Sequence, residues 1–159
     1  MITKMQYFGV KHSPVEHEAN ADKMLAAVNC LWHEAADAGV YGYWIDPDTN
    51  SQISGSKGGA GDGGYRTPDS KTGAKSSTHR EGHGCDTYDP ERKLAAWCVL
   101  NVELLVKHDL YIEDPRWTPG WVHCQDVPPK SGKRVYIPAS TPPLAPALPG
   151  QKAVPHTIK

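Results

Sequence analysis

Apolar residues recur at steps of three and four between Ala21 and Ala35, the spacing of one face of an α-helix. This stripe consists of Ala21, Met24, Leu25, Val28, Leu31, Trp32 and Ala35. Residues 13–16, Ser-Pro-Val-Glu, form a capping-box pattern with proline at the first helical position, so we expect the helix to begin there. Gly39 lies where a left-handed residue would end it. The pattern predicts a long helix with one face packed on the core.

Short runs of branched and aromatic residues predict the strands of a small sheet. The runs lie at residues 40–45, 110–112, 121–124 and 134–137. A second helix is predicted by Asp89 followed by Pro90, an N-cap with a first-turn proline, and by apolar residues that continue to about His108. These elements predict an α+β fold in which a small antiparallel sheet packs against helices.

Two segments are poor in residues that could pack. Residues 50–75 are rich in Gly, Ser, Lys and Asp but lack the Gly-Lys-Ser/Thr ending of a phosphate-binding loop, so we expect a mobile rim loop. After Asp126 the chain contains eight prolines. We therefore expect one domain at residues 1–138 and a loosely ordered, proline-rich tail at residues 139–159.

Composition narrows the classes of partner and compartment. The 159 residues are 38% hydrophobic, as in a single soluble domain, and 17 basic against 18 acidic side chains give no general attraction to nucleic acid or anionic lipid. No apolar run has the length of a signal peptide or of the roughly 20 residues that span a bilayer. Four cysteines without a CxxC pair fit a reducing compartment. We expect a cytoplasmic monomer.

Three residues suggest a metal site: His79, Asp86 and His123. Two imidazoles and one carboxylate leave the fourth position of a tetrahedral Zn²⁺ open for water, as in hydrolytic rather than structural zinc sites. His83 lies four residues after His79, but Gly82 disfavours the helix that would bring both rings to one face, so we expect His83 at the rim of the site.

Two cysteines adjoin the proposed ligands and are rival ligands, because thiolates bind zinc well. Cys85 precedes Asp86, and Cys124 follows His123. If both segments are strands, adjacent side chains point to opposite faces. Ligation by Asp86 and His123 would then turn both thiols into the core, where we expect them to be inert.

Three motifs in this order resemble a known family of zinc peptidases. Residues 64–68 read Gly-Tyr-Arg-Thr-Pro, residues 77–86 read Ser-Thr-His-Arg-Glu-Gly-His-Gly-Cys-Asp, and residues 120–123 read Gly-Trp-Val-His. They are similar to the zinc D-Ala-D-Ala carboxypeptidase and phage L-alanyl-D-glutamate endopeptidase family, which shares its fold with the hedgehog signalling domain. In that family the segments read Gly-Tyr-Arg-Ser/Thr, Ser-x-His-x-x-Gly-x-Ala-x-Asp and Trp-x-His.

The resemblance implies roles for two further residues. Arg66 would hold a substrate carboxylate or the oxyanion of the intermediate, a task suited to a guanidinium with donors in a fixed fork. Ser77 would hydrogen-bond the substrate backbone. Gly84 departs from the pattern, since alanine is usual there.

The general base is the point where the resemblance fails. Relatives commonly carry Glu or Asp three residues before the last histidine, where this chain has Gly120. If the strand that carries His123 runs antiparallel beside residues 111–113, facing side chains of the two strands lie roughly 5 Å apart. A carboxylate on the strand at 111–113 could then reach a zinc-bound water. We expect Glu113 to be the base, with Asp114 as the alternative and the absence of a base as the third possibility.

The function implied is zinc-dependent cleavage of peptidoglycan stem peptides, as a carboxypeptidase or an endopeptidase. A small domain without a signal sequence fits a phage endolysin, made in the host cytoplasm and acting on the cell wall after release. The alternative is a non-catalytic cell-wall-binding or virion module of the same fold that keeps zinc for stability.

Overall fold

The computed structural model of the chain describes residues 1–55, 62–138, 143–149 and 151. Four helices and a four-stranded sheet make up its regular structure, so the α+β class is confirmed. The helices are α1 (Lys4–Phe8), α2 (Val15–Asp37), α3 (Lys93–Leu100) and α4 (Val102–Lys107). The strands are β1 (Gly84–Asp89), β2 (Tyr111–Glu113), β3 (Gly120–Gln125) and β4 (Val135–Tyr136).

Helix α2 is the long helix that the apolar stripe predicts, and all seven stripe residues are buried. It ends in a Schellman motif: Gly39 has φ 72°, and the amides of Gly39 and Val40 donate to the carbonyls of Ala36 and Ala35. The predicted capping box is wrong. Pro14 is the N-cap residue, and no side chain caps the helix, because Ser13 instead contacts Glu18.

The second predicted helix is broken in two at Asn101. The helix begins at Lys93 with Arg92 at the N-cap, so the expected start at Asp89 and Pro90 is wrong. The carboxylate of Asp89 nevertheless accepts hydrogen bonds from the first-turn amides of Leu94 (3.2 Å) and Ala95 (2.8 Å). The Asn101 side chain bonds the carbonyl of Trp97 at 2.8 Å, and its backbone leaves the helical region. Side-chain competition for helix carbonyls accounts for the break.

The sheet has the strand order β1-β3-β2-β4 and is mixed, which corrects the expectation of a purely antiparallel sheet. Strands β1 and β2 flank β3 antiparallel to it, whereas β4 runs parallel to β2. Residues 40–45, the first of the four predicted strands, form no strand, so this prediction is wrong. Tyr43 has φ 51°, and Tyr41 packs its ring on Trp32, so aromatic packing rather than strand pairing orders the segment.

The two faces of β1 and β3 have different roles. Cys85 and Cys124 face the hydrophobic core with α2, and the indole of Trp32 donates to Thr87 at 3.1 Å. The thiols are free and buried, as predicted. Because side chains alternate along a strand, Asp86 and His123 must point to the opposite face. That face carries the candidate site.

The segments expected to lack packing contain residues that do pack. Ile53 and Tyr65, from the predicted rim loop at 50–75, are fully buried, and Ile53 forms an antiparallel bridge with Thr87. Residues 56–61 of that loop lie outside the described part. From the predicted tail, residues 143–149 and 151 are described, and Leu144 donates its amide to the carbonyl of Arg116. No helix in the described residues is long and apolar enough to span a bilayer.

Candidate metal site

Three elements bring the predicted ligands together. His79 lies in a single 3₁₀ turn, Thr78–Arg80, immediately before β1. Asp86 on β1 and His123 on β3 are direct partners in the antiparallel ladder. All three side chains are buried, with one ligand atom from each within 4.8 Å of the others. The group could therefore hold a metal ion.

The distances fit a tetrahedral ion. Asp86 Oδ1 lies 2.7 Å from His123 Nδ1 and 3.3 Å from His79 Nε2, and the two nitrogens are 3.1 Å apart. Bonds of about 2.0–2.2 Å to zinc in tetrahedral geometry place ligand atoms about 3.3–3.6 Å from one another. Small outward shifts of the three side chains would meet that spacing.

The tautomer of His79 is fixed by the protein backbone. Its Nδ1 lies 2.8 Å from the carbonyl oxygen of Gly64, which can only accept a hydrogen bond. Nδ1 must therefore carry the hydrogen, and the lone pair of a neutral ring resides on Nε2, the atom that faces Asp86 and His123. This is the carbonyl-to-histidine arrangement that orients metal-binding imidazoles.

The tautomer of His123 is fixed by Gln125. The Gln125 amide nitrogen lies 2.6 Å from the carbonyl oxygen of Val127, so the amide oxygen points the other way, toward His123 Nε2 at 3.2 Å. An oxygen can only accept here, so Nε2 carries the hydrogen. The neutral His123 ring therefore presents the lone pair of Nδ1 to the group.

With both rings neutral, His79 Nε2, Asp86 Oδ1 and His123 Nδ1 are all acceptors that face one another. Such a group needs a proton or a cation among its atoms. Burial lowers the pKa of His79, so its ring stays neutral. Burial acts the same way on His123, but the hydrogen bond with Asp86 and the charges of Glu113 and Asp86 outweigh it and raise the pKa of His123 to about 9. Without metal, His123 Nδ1 donates that proton to Asp86.

Asp86 is held as a carboxylate. Burial alone would raise its pKa, but the neighbouring histidines, including the hydrogen bond that His123 donates, keep the pKa of Asp86 far below its usual range. Its second oxygen, Oδ2, forms a buried ion pair with Arg66 Nη2 at 3.1 Å. One oxygen thus faces the histidines while the other is oriented by a cation.

Arg66 and Ser77 both line the cavity above the three ligands, where the sequence predicted substrate contacts. The guanidinium of Arg66 also donates from Nε to the carbonyl of Asp62 at 2.6 Å and from Nη1 to Ser77 Oγ at 3.5 Å. The contact with Asp86 was not foreseen. It makes Arg66 a positioning residue for a ligand as well as part of the cavity wall.

The two candidate bases have different environments. Glu113 lines the cavity and has no hydrogen-bond or ion-pair partner among the described residues, and burial raises its pKa. Continuing the ladder pairs Tyr111–Gln125 and Ile112–Cys124 by one step puts Glu113 opposite His123, on the face that carries the ligands. Asp114 is instead bound to Arg116, whose Nε lies 2.8 Å from Asp114 Oδ1.

Two departures from the family pattern have local causes. Gly120 has φ 98°, a conformation that a glutamate or aspartate would rarely adopt. Gly84 lies so close to Thr78 Oγ1 that an added methyl group would clash with that hydroxyl. His83, expected at the rim, is bonded to Asp126 at 2.7 Å and is not among the residues that line the cavity.

Sequence reasoning missed Gln125 and Tyr136 as members of the site. The Tyr136 hydroxyl donates to Gln125 Oε1 at 2.7 Å, and both residues line the cavity. Gln125 could have been found, because it directly follows the predicted strand 121–124 and lies two residues after His123, so it shares that face if the strand continues by one residue. Tyr136 could not, since its position depends on β4 pairing with β2.

The cavity over the three ligands has a volume of about 580 Å³. Its lining includes the hydroxyl-bearing residues Thr72, Ser76 and Ser77 and the apolar residues Trp117, Trp121 and Leu144. No family model, curated protein or solved structure matches the chain. The site itself and the motif resemblance therefore carry the functional assignment.

Proposed function

We propose that this protein is a zinc-dependent peptidase that cleaves amide bonds in the peptide stems of peptidoglycan. The observation that carries the proposal is the convergence of His79 Nε2, Asp86 Oδ1 and His123 Nδ1 on one point in the cavity, with both rings held in metal-ready tautomers. Three protein ligands are the usual number in catalytic zinc sites, which keep one position for water or substrate.

Zinc bound there would polarise a substrate carbonyl and lower the pKa of water toward about 7. Glu113 takes the role of general base, because its carboxylate lies in the cavity wall without a partner among the described residues and its pKa is raised by burial. Asp114 is the weaker candidate, since Arg116 hydrogen-bonds its side chain and holds its pKa low against the effect of burial.

Arg66 and Ser77 are the proposed substrate-contacting residues. Arg66 contributes a fixed positive charge beside the aspartate ligand, which favours negative charge developing on the substrate oxygen. Ser77 presents a hydroxyl to the same cavity. The peptidoglycan substrate, and action on the cell wall after release from a host cytoplasm, follow from the motif resemblance and are part of the proposal.

The test combines metal analysis with product detection. Purified protein should contain about one zinc per chain after dialysis, and His79→Ala or His123→Ala should abolish it. Metal-loaded protein incubated with purified peptidoglycan should release new amino or carboxyl ends, and a chelator should stop this release. Zinc content unchanged in both variants would remove these residues from the ligand set.

A second candidate, a non-catalytic zinc module of the same fold, is favoured by one observation: glycine replaces the usual carboxylate at position 120. The two candidates differ in products. If the protein binds zinc and binds peptidoglycan but releases no new ends, the binding module is the better description.

A further inference from the structure

We infer that Gln125 and Tyr136 form a positioning pair that sets the ring orientation and tautomer of His123 for metal binding. The inference rests on the proposed zinc site and extends it to two residues outside the ligand set. The geometry is a chain of hydrogen bonds from Tyr136 OH to Gln125 Oε1 (2.7 Å) and from His123 Nε2 to the same oxygen (3.2 Å).

The orientation of the Gln125 amide is decided by its other contact. Its nitrogen lies 2.6 Å from the carbonyl oxygen of Val127. A flipped amide would set two acceptor oxygens against each other there, whereas the Tyr136 hydroxyl could pair with either group of the amide. Only one orientation satisfies all partners, so Gln125 presents an acceptor to the ring.

That acceptor decides which nitrogen of His123 can bind a metal. With Nε2–H committed to Gln125, the lone pair is on Nδ1, which lies 2.7 Å from Asp86 Oδ1 and 3.1 Å from His79 Nε2. Without the acceptor, the neutral ring could place its hydrogen on either nitrogen. A carbonyl-type partner also increases the basicity of the nitrogen that binds the metal.

Tyr136 contributes by holding the amide oxygen in place. It comes from β4, which lies beside β2 rather than beside the ligand strands, with Glu113 and Tyr136 as parallel partners. Its ring therefore approaches from the far edge of the sheet. Gln125 and Tyr136 are both more than 90% buried, so their polar groups require internal partners, and the chain of bonds supplies them.

The experiment measures zinc affinity by competition with a chromophoric chelator in four proteins: wild type, Gln125→Leu, Tyr136→Phe and the double variant. We expect Gln125→Leu to weaken zinc binding by about 10- to 100-fold, the usual effect of removing an outer partner of a ligand. Tyr136→Phe should weaken it by about 3- to 10-fold. In the double variant the Tyr136 substitution should add nothing, because it acts through Gln125.

A second readout reports the tautomer directly. Long-range ¹H–¹⁵N NMR spectra of the zinc-loaded wild type should show His123 protonated at Nε2 and metallated at Nδ1. In Gln125→Leu this signal should broaden or shift toward the other tautomer. The matched control is Gln52→Leu, which removes a buried glutamine outside the cavity lining and should leave zinc affinity and the His123 spectrum unchanged.

The outcomes separate this inference from the proposed function. If wild-type protein binds no zinc, the proposed metal site is wrong. If wild type binds zinc and Gln125→Leu binds it equally, the site stands and the positioning role is overturned. If Gln125→Leu does not fold, as judged by circular dichroism, Tyr136→Phe decides, since unchanged affinity and an unchanged His123 spectrum in that variant would overturn the inference.

Discussion

The raised pKa of His123 predicts how the stability of the metal-free protein depends on pH. The hydrogen bond with Asp86 and the negative charges of Glu113 and Asp86 outweigh burial and raise the pKa of His123 from 6.5 to about 9 in the folded chain. The folded state therefore keeps a proton that the unfolded state has lost. Stability from this group is fully present below about pH 6.5 and is lost as the pH rises through about 9.

The magnitude follows from the size of the shift. Each pKa unit corresponds to about 1.4 kcal/mol, so a change from 6.5 to about 9 is worth about 3 kcal/mol. About 2 kcal/mol of this should be lost between pH 6.5 and pH 8.5, where most of the shift is traversed. The buried thiols also lower the stability of the folded protein in alkali. Burial raises their pKa, so loss of their protons favours the unfolded state.

The assay is urea unfolding of chelator-treated protein at pH 6.5, 7.5 and 8.5, for wild type and for His123→Asn. Asparagine retains a donor for Asp86 but cannot titrate, and both proteins contain the same thiols. The stability difference between the two should therefore narrow by about 2 kcal/mol across this range. If the difference in free energy of unfolding between the two proteins does not change with pH, no proton resides between His123 and Asp86 in the metal-free protein.

Further substitutions test the ligands' neighbours and the packing that supports the site. Glu113→Gln should leave zinc bound while lowering turnover by about 100-fold or more, whereas Asp114→Asn should retain most turnover; the reverse result in a peptidoglycan assay would transfer the role of base. Arg66→Met should weaken zinc binding by about 10-fold or more in chelator competition, because it frees the second oxygen of the aspartate ligand, and an unchanged affinity would limit Arg66 to substrate contacts. Gly84→Ala should lower the free energy of unfolding by about 1–3 kcal/mol through overpacking against Thr78. Addition of Thr78→Ala to Gly84→Ala should recover much of that loss in urea unfolding. If the single and the double variant are equally destabilised, the clash is not with the Thr78 side chain.

The parts of the fold that depend on local signals could be predicted from the sequence. The apolar stripe and Gly39 locate α2 and its end because helix periodicity and the left-handed C-cap are properties of a few adjacent residues. The same holds for β2 and β3, whose antiparallel pairing was expected from a short connection. The break at Asn101 depends on one side chain competing for a carbonyl, which no periodicity indicates.

Contacts distant in sequence could not be predicted. The parallel position of β4 is set by packing at the far edge of the sheet, so the part played by Tyr136 was invisible in the sequence. Residues 40–45 have strand-like composition but no strand partner in the described residues, and their aromatic rings pack against α2 instead. The three ligand positions were recoverable because their motifs carry the spacing.

Two neighbouring pairs of the β1–β3 ladder carry possible metal ligands: Asp86 with His123 on one face, and Cys85 with Cys124 on the other. A shift of both strands by a single position would expose two thiols where an imidazole and a carboxylate now stand. Which residues of the two strands face the cavity therefore decides whether a metal ion meets an imidazole and a carboxylate or two thiols. Core packing of Cys85 and Cys124 opposes such a shift, and in this way the hydrophobic core determines which ligands a metal ion meets.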